Sequence, residues 1–282
     1  MPRLPGNEPL VSRSGKLLRS LREINTFEPV EKEHLYRILL PPRLLSILEV
    51  SPATFCAVDG SRRIEFIAPA GLGFTRIVAR RSATDQDPLF LLDFSDTAFH
   101  QIELSFCIIT DPDTPRFVVD VDAAGKDNWF ASMGRNIPEE LRAMHAGLFP
   151  NQVRRGMRLF SEFFPLFERF VDALGIDIIT AEPLTYDNAI RYEKYGFDYL
   201  TGQTLMRRIN EEFRPGGKLC GRLDGSTPFR MPGMERTVRG RSWAIHDGIL
   251  DEPWDGVHIY KSVGECAGIN TFPEREPEPE VR

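Results

Sequence analysis

Arginines are concentrated around one glycine in the middle of the chain, at positions 154, 155 and 158 beside Gly156. The planar guanidinium group donates paired hydrogen bonds that match the oxygen atoms of a phosphate. These three arginines could therefore bind a phosphorylated ligand. The same spacing also suits the solvated face of an ordinary helix, and the sequence alone leaves both interpretations open.

Carboxylates offer a second kind of chemistry in the run from Phe117 to Asp122. This β-rich run predicts a strand, on which Asp120 and Asp122 share a face because side chains alternate with period two. Two neighbouring carboxylates raise each other's pKa, which would help one of them act as a general base near neutral pH. Glu103 and Asp93 are other carboxylates of the predicted sheet, and carboxylates also occur at strand ends without any catalytic role.

The elements that must position these groups occupy the stretch from Phe149 to Phe197. Apolar residues at spacings of three and four predict a helix over residues 153–174, kinked or divided at Pro165. Gly175 would end that helix, a short apolar strand would follow, and a second helix would end at Gly196. A helix followed by a strand predicts a layer of helix packed on sheet.

This stretch resembles the GNAT superfamily of acyl-CoA N-acyltransferases. In that family an Arg-Gly-rich turn opens a long helix, a strand follows, and a helix with an Asn-Ala start ends in Tyr-Glu-Lys-x-Gly-Phe. Here the opening is Arg155-Gly156, and the closing is Asn188-Ala189 followed by the run from Tyr192 to Phe197. The resemblance covers about fifty of the 282 residues.

The resemblance implies that backbone amides at the start of the helix bind the pyrophosphate of an acyl-CoA. The binding residues it implies are Val153, Arg154, Arg155, Gly156, Met157, Arg158 and Asn188. The family has small residues after the first glycine, whereas Arg158 and Phe160 stand near those positions here. Asn188 also lies nearer to Tyr192 than the family pattern places it.

The resemblance further implies that acetyl-CoA or another acyl-CoA gives its acyl group to a small-molecule or protein amine. Asp120 or Asp122 would take the amine proton, and Tyr192 would protonate the leaving thiolate. An alternative is a catalytically inactive protein of the same fold that binds or assembles with a partner. The missing small residues, a long insertion and two terminal arms favour this alternative.

The rest of the chain predicts an α+β fold of the GNAT kind, with a mostly antiparallel sheet flanked by helices. A proline-divided helix over 31–50 precedes short strands at 54–58, 63–68, 74–80, 89–94, 102–110 and 117–122. We expect an N-terminal arm at 1–28, a GNAT-like domain at 29–210 with an insertion at 123–150, and an extended C-terminal arm at 211–282 with a disordered end. The arms could hold a protein partner or a second copy of the chain.

Composition sets the remaining expectations. A net charge of −6 argues against a nucleic-acid partner, and no apolar run approaches the length of a membrane span. Four widely separated cysteines favour reduced thiols and a cytoplasmic location. The dispersed histidines predict no metal site, and His34 has the setting of an ordinary surface residue.

Overall fold

A computed structural model describes residues 4–128 and 134–273. The chain divides into two compact units. The first comprises Met1–Asp113, Gly156–Ala181 and Lys261–Glu265, and the second comprises Thr114–Arg155, Glu182–Tyr260 and Cys266–Arg282.

The described residues form a mixed α+β fold in which helices flank an open sheet. The helices are α1 (Leu21–Ile24), α2 (Pro29–Tyr36), α3 (Pro42–Leu48), α4 (Ile137–His145), α5 (Phe160–Ala173), α6 (Tyr186–Glu193), α7 (Gln203–Glu212), α8 (Lys218–Gly221) and α9 (Val238–His246). The strands are β1 (Ile64–Ile67), β2 (Phe74–Ala79), β3 (Phe90–Asp96), β4 (Ile102–Ile109), β5 (Ile178–Ala181), β6 (Asp198–Thr201) and β7 (His258–Ser262). The predicted fold class, α+β with a mostly antiparallel sheet flanked by helices, is confirmed.

The strands of the described chain lie in the order β1-β2-β3-β4-β5-β7-β6. β1 to β4 form an antiparallel meander, because each turn between them is short enough to reverse the chain. β5 pairs with β4 in parallel, which requires a crossover, and α5 lies within that crossover. β6 and β7 are antiparallel.

Aromatic side chains hold α5 against the sheet of the first unit. The ring of Phe163 lies 5.5 Å from that of Phe90, and the ring of Phe167 lies 5.6 Å from that of Phe94. All four side chains are fully buried. Burying each of them contributes about 1.5–3 kcal/mol, so this face fixes where α5 begins relative to the strands.

The predicted boundaries of α5 were partly wrong. The helix begins at Phe160, so Val153 lies before it instead of in its first turn. Pro165 lies inside the helix, as predicted. Gly175 and Gly196 have φ angles of 70° and 83°, the left-handed conformation in which glycine commonly ends a helix.

Two of the predicted strands are not present in the described chain. Residues 54–58 and 117–122 each contribute only an isolated bridge, Cys56 with Arg62 and Val121 with Asp127. Each bridge closes a tight turn. Backbone groups of residues 117–122 also bond to distant residues, such as the Phe117 amide to the Val153 carbonyl oxygen, and neither segment adds a strand to the sheet.

Residues 211–273 are folded, whereas an extended arm was predicted. They contain α8, α9 and β7. Arg241 is buried, donates to Asn210 Oδ1 at 2.8 Å and lies 4.4 Å from the ring centre of Phe272. The predicted disordered end, residues 273–282, lies outside the described residues from 274 onward, and so does part of the 123–150 insertion.

Candidate functional site

β4 and β5 run parallel but pair over a short length. Their register joins Ile102 to Ile179 and Glu103 to Thr180. β5 ends one residue after Thr180, whereas β4 continues to Ile109. The last six residues of β4 therefore extend beyond the ladder with β5. We call this region, between the part of β4 after Glu103 and the end of β5, the β4–β5 fork.

A β-bulge in β4 lies directly after the paired residues. On the ladder with β3, Asp93 faces Phe106 and Phe94 faces Leu104, so Ser105 is the additional residue. A bulge bends its strand and increases the local twist, and bulges are frequent beside active sites. The bulge therefore lies close to the point where the pairing between β4 and β5 ends.

The turn before α5 lies against the end of β4. A Cβ atom on Gly156 would be 3.3 Å from the carbonyl oxygen of Ile109, the last residue of β4. That distance is shorter than ordinary van der Waals contact, so a side chain at this position would have to displace the strand or the turn. Glycine thus allows the backbone of the turn to approach the edge of the fork.

The N-terminus of α5 follows this turn and favours negative charge. Arg158 is exposed and has a φ of 57°, in the left-handed region. The N-cap residue, Leu159, makes no capping hydrogen bond through its side chain. A 14-residue helix carries a partial positive charge at its N-terminus. The amides of Glu162 and Phe163 donate to the Leu159 carbonyl oxygen. The positive end of the helix, together with the Arg158 guanidinium, therefore suits an anion.

Arg154 and Arg155 belong to the second unit, and their side chains bond to backbone carbonyls there. Arg154 Nη1 donates to the carbonyl oxygen of Thr114, and Arg155 Nη2 donates to that of Ala146 at 2.8 Å. Both arginines thus brace the segment that leads into the turn. Of the three predicted phosphate-binding arginines, Arg158 is the one whose guanidinium has no hydrogen-bond or ion-pair partner among the described residues.

The two apolar residues predicted to flank the binding turn have different surroundings. The carbonyl oxygen of Val153 accepts a hydrogen bond from the Phe117 amide at 2.8 Å, and the side chain packs against a buried cluster of the second unit that includes Trp243. Met157 is half-buried between Gly156 and Arg158. Gly156, Met157 and Arg158 therefore form the part of the predicted site that belongs to the first unit.

Asp120 and Asp122 lie in a loop of the second unit, so their predicted position on one face of a strand was wrong. Asp120 Oδ2 accepts a hydrogen bond from Arg116 Nη2 at 2.5 Å. Asp122 Oδ1 accepts from the amides of Ala124 and Lys126 at 2.8 and 2.9 Å. Aspartate side chains often bond to downstream amides in this way, which competes with strand formation. Here the two carboxylates stabilise a turn.

Asn188 and Tyr192 lie one turn apart on α6 in the second unit, and both are half-buried. The ring of Tyr192 lies 4.9 Å from the ring of Phe197. The neighbouring Asp187 is buried, and its burial raises the pKa of the carboxyl despite the Arg191 guanidinium 3.8 Å away. The contact with Phe197 gives Tyr192 a packing role whether or not it transfers a proton.

Glu103 is the carboxylate that the structure places at the fork. It occupies the last paired position of β4 before the bulge, is half-buried, and accepts a hydrogen bond from Ser105 Oγ at 3.1 Å. Asp93, by contrast, accepts hydrogen bonds from Nε and Nη2 of Arg76, at 2.7 and 2.6 Å. The sequence marked Glu103 only as one of several sheet carboxylates, because nothing in the local pattern reveals the bulge.

Metal sites and membrane-spanning helices are two other features to consider in the described part of the chain. No group of three or more His, Cys, Asp or Glu side chains there could hold a metal ion. No helix among those residues has the length and apolar character to cross a bilayer. Among the described residues, the four cysteines form no disulfide bond. Comparisons with known protein families, curated proteins and solved structures give no match to this chain.

Proposed function

We propose that this protein is an acyl-CoA-dependent N-acyltransferase of the GNAT kind. The observation that carries the proposal is the β4–β5 fork, with Gly156 against its β4 edge and the N-terminus of α5 directly after it. Acyl-CoA joins a pyrophosphate to a long arm that contains amides. A helix N-terminus suits the pyrophosphate, and a strand that extends beyond its neighbour suits an extended, amide-bearing chain.

In the proposed complex, the turn before α5 brings both backbone and positive charge close to the phosphates. Gly156 and Met157 bring backbone toward the phosphates, and the Arg158 guanidinium adds a charge that lysine would present less specifically. Phosphate binding by Arg154 and Arg155 is not part of the proposal, because their side chains already donate to carbonyl oxygens.

The proposed reaction needs two proton transfers. The amine nitrogen attacks the thioester carbonyl, a carbon–nitrogen bond forms, and the carbon–sulfur bond breaks. Glu103 takes the proton that the amine loses, in place of Asp120 and Asp122. In the GNAT pattern, the departing thiolate receives its proton from a tyrosine spaced before Gly-Phe as Tyr192 is before Gly196-Phe197.

The substrates follow from the same chemistry. The acyl donor is acetyl-CoA or another acyl-CoA, and the acceptor is a small-molecule or protein amine. Four cysteines with no disulfide bond among them support a cytoplasmic setting for this reaction.

An acyl-transfer assay tests the proposal and the choice of base together. The release of CoA thiol is followed with acetyl-CoA and a panel of polyamines, amino acids and peptide amines. Glu103→Gln should lower kcat at least about 100-fold because the general base is lost, while the Kd for CoA changes less than about twofold. The matched control, Asp122→Asn, keeps an oxygen acceptor for the turn amides and should remain active. Full activity of Glu103→Gln would contradict the assignment.

A catalytically inactive binding or assembly subunit of the same fold is the second candidate function. It is favoured by the engagement of three predicted site residues in structural bonds: Arg154, Arg155 and Asp122. Such a protein would bind CoA, or a protein partner held by its terminal segments, without turnover. CoA binding in calorimetry with no thiol release across the amine panel would support it. Turnover by the isolated chain would eliminate it.

A further inference from the structure

A separate cluster of cations lies beside α2 in the first unit. Two adjoining grooves flank this helix, with volumes of about 350 and 430 Å³. The first is bounded by α2 and residues 9–13, and the second by α2 and residues 52–55. Arg13, His34 and Arg37 line both grooves. These volumes lie in the range of small-molecule sites.

The walls of the grooves are anchored to the rest of the unit. The segment that carries Arg13 forms a hairpin in which the Ser12 amide donates to Lys16 and the Leu18 amide donates to Leu10, each at 2.9 Å. The Leu10 amide in turn donates to the carbonyl oxygen of Ala173, at the end of α5, at 2.8 Å. Arg13 therefore lies on a hairpin that is hydrogen-bonded to the rest of the unit. His34 and Arg37 lie at the C-terminal end of α2.

The carboxylates that line the grooves already have partners. Glu31 accepts a hydrogen bond from the Arg13 backbone amide at 3.0 Å, and Glu33 forms an ion pair with Arg62 at 2.7 Å. Within the described residues, the guanidinium groups of Arg13 and Arg37 have no carboxylate partner. Three arginines against two glutamates leave one positive charge in excess, before any contribution from His34.

Apolar side chains lie beside these cations and are open to solvent. Val11, Val30 and Ile38 line the grooves and are 46%, 67% and 40% exposed. Exposed apolar surface in a concave site is favourable for a ligand that covers it. The surface therefore combines unpaired positive charge with uncovered apolar area.

We propose that the two grooves form one binding site for a small organic anion with an apolar body, such as an aromatic or aliphatic carboxylate, sulfonate or phosphate ester. Arg13 and Arg37 bind the anionic group, and Val11, Val30 and Ile38 cover the apolar part. No residue of this site belongs to β4, β5 or the turn before α5. The proposal is therefore independent of acyl transfer at the fork.

Two fluorescent probes that differ in one charged group test this site. 8-Anilinonaphthalene-1-sulfonate carries the anion, and N-phenyl-1-naphthylamine has the same ring system without it. The sulfonate should bind saturably, and Arg13→Gln with Arg37→Gln should raise its Kd about tenfold or more, because charge-assisted hydrogen bonds are lost. The neutral probe should bind all proteins alike.

The matched control is Arg22→Gln with Arg207→Gln, which removes two exposed arginines that line neither groove. This variant should bind the sulfonate as the wild type does. Thermal unfolding of both double variants checks that the fold is retained. Unchanged sulfonate affinity after loss of Arg13 and Arg37 would overturn the proposal, and so would an equal loss in the control variant.

Discussion

Arg158 adopts a left-handed backbone conformation, and it stands near the position where the resemblance to the GNAT superfamily would place a small residue. A residue with a side chain is about 1 kcal/mol less stable in this region than glycine. An arginine placed there fits a role for its guanidinium, which is exposed and has no partner in the described chain.

Replacing Arg158 separates the effect of backbone strain on stability from the effect of the guanidinium charge on CoA binding. Arg158→Gly should leave the free energy of unfolding unchanged or raise it by up to about 1 kcal/mol, because glycine tolerates a φ of 57°. The same change should raise the Kd for CoA about tenfold, because a phosphate contact is lost. Urea denaturation and calorimetry measure the two effects. Tighter CoA binding by this variant would show instead that the arginine obstructs the turn.

At the scale of elements, the aromatic face of α5 holds the turn in place. Phe167 is fully buried, and its ring contacts those of Phe94 and Phe163 at 5.6 and 5.5 Å. The N-terminus of α5 can present amides at the fork only while this face stays packed on the sheet.

Truncating Phe167 should therefore be costly. Phe167→Ala should lower the free energy of unfolding by about 3–5 kcal/mol, since it removes buried apolar area and leaves a cavity. Phe99→Ala is the control because Phe99 is 81% exposed, and it should cost less than about 0.5 kcal/mol. Chemical denaturation compares the two variants. Similar small losses would mean that α5 does not depend on this packing.

The sequence predicts the elements that depend on local signals and misses those set by distant contacts. Gly175 and Gly196 end helices because of their own backbone freedom, so both stops were predictable. The bulge at Ser105 depends on register with β3, which no local pattern encodes. α9 was missed because its Gly- and Pro-rich surroundings indicated an extended chain, whereas Arg241 and Trp243 are buried by residues far along the sequence.

At the scale of the whole molecule, each unit contains a tyrosine that is neutral in the folded state, fully buried in the case of Tyr36 and half-buried in the case of Tyr199. The hydroxyl of Tyr36 donates to Asn25 Oδ1 at 2.6 Å, and that of Tyr199 donates to Glu193 Oε1 at 2.6 Å. Burial raises the pKa of both phenols well above the ordinary 10.0, and the Glu193 charge raises that of Tyr199 further.

These tyrosines predict a loss of stability at alkaline pH. Above about pH 10 the unfolded chain releases phenol protons that the folded chain retains, so the free energy of unfolding falls by about 1.4 kcal/mol per pH unit for each group. Below about pH 10 their contribution is fully present. Tyr199→Phe should reduce the slope of the unfolding free energy against pH by about 1.4 kcal/mol per pH unit, the contribution of one proton. Denaturation between about pH 8 and about pH 11 measures this slope. An unchanged slope would contradict the assignment.

The most direct test of the central claim is a calorimetric titration of CoA into two glycine variants. Gly156→Val adds a branched side chain whose Cβ alone would be 3.3 Å from the Ile109 carbonyl oxygen. Gly221→Val is the control, because a Cβ at that exposed position meets nothing within 4 Å. We expect the wild type and Gly221→Val to bind CoA alike and Gly156→Val to lose at least about tenfold in affinity. No CoA binding by the wild type, or equal binding by both variants, would contradict it.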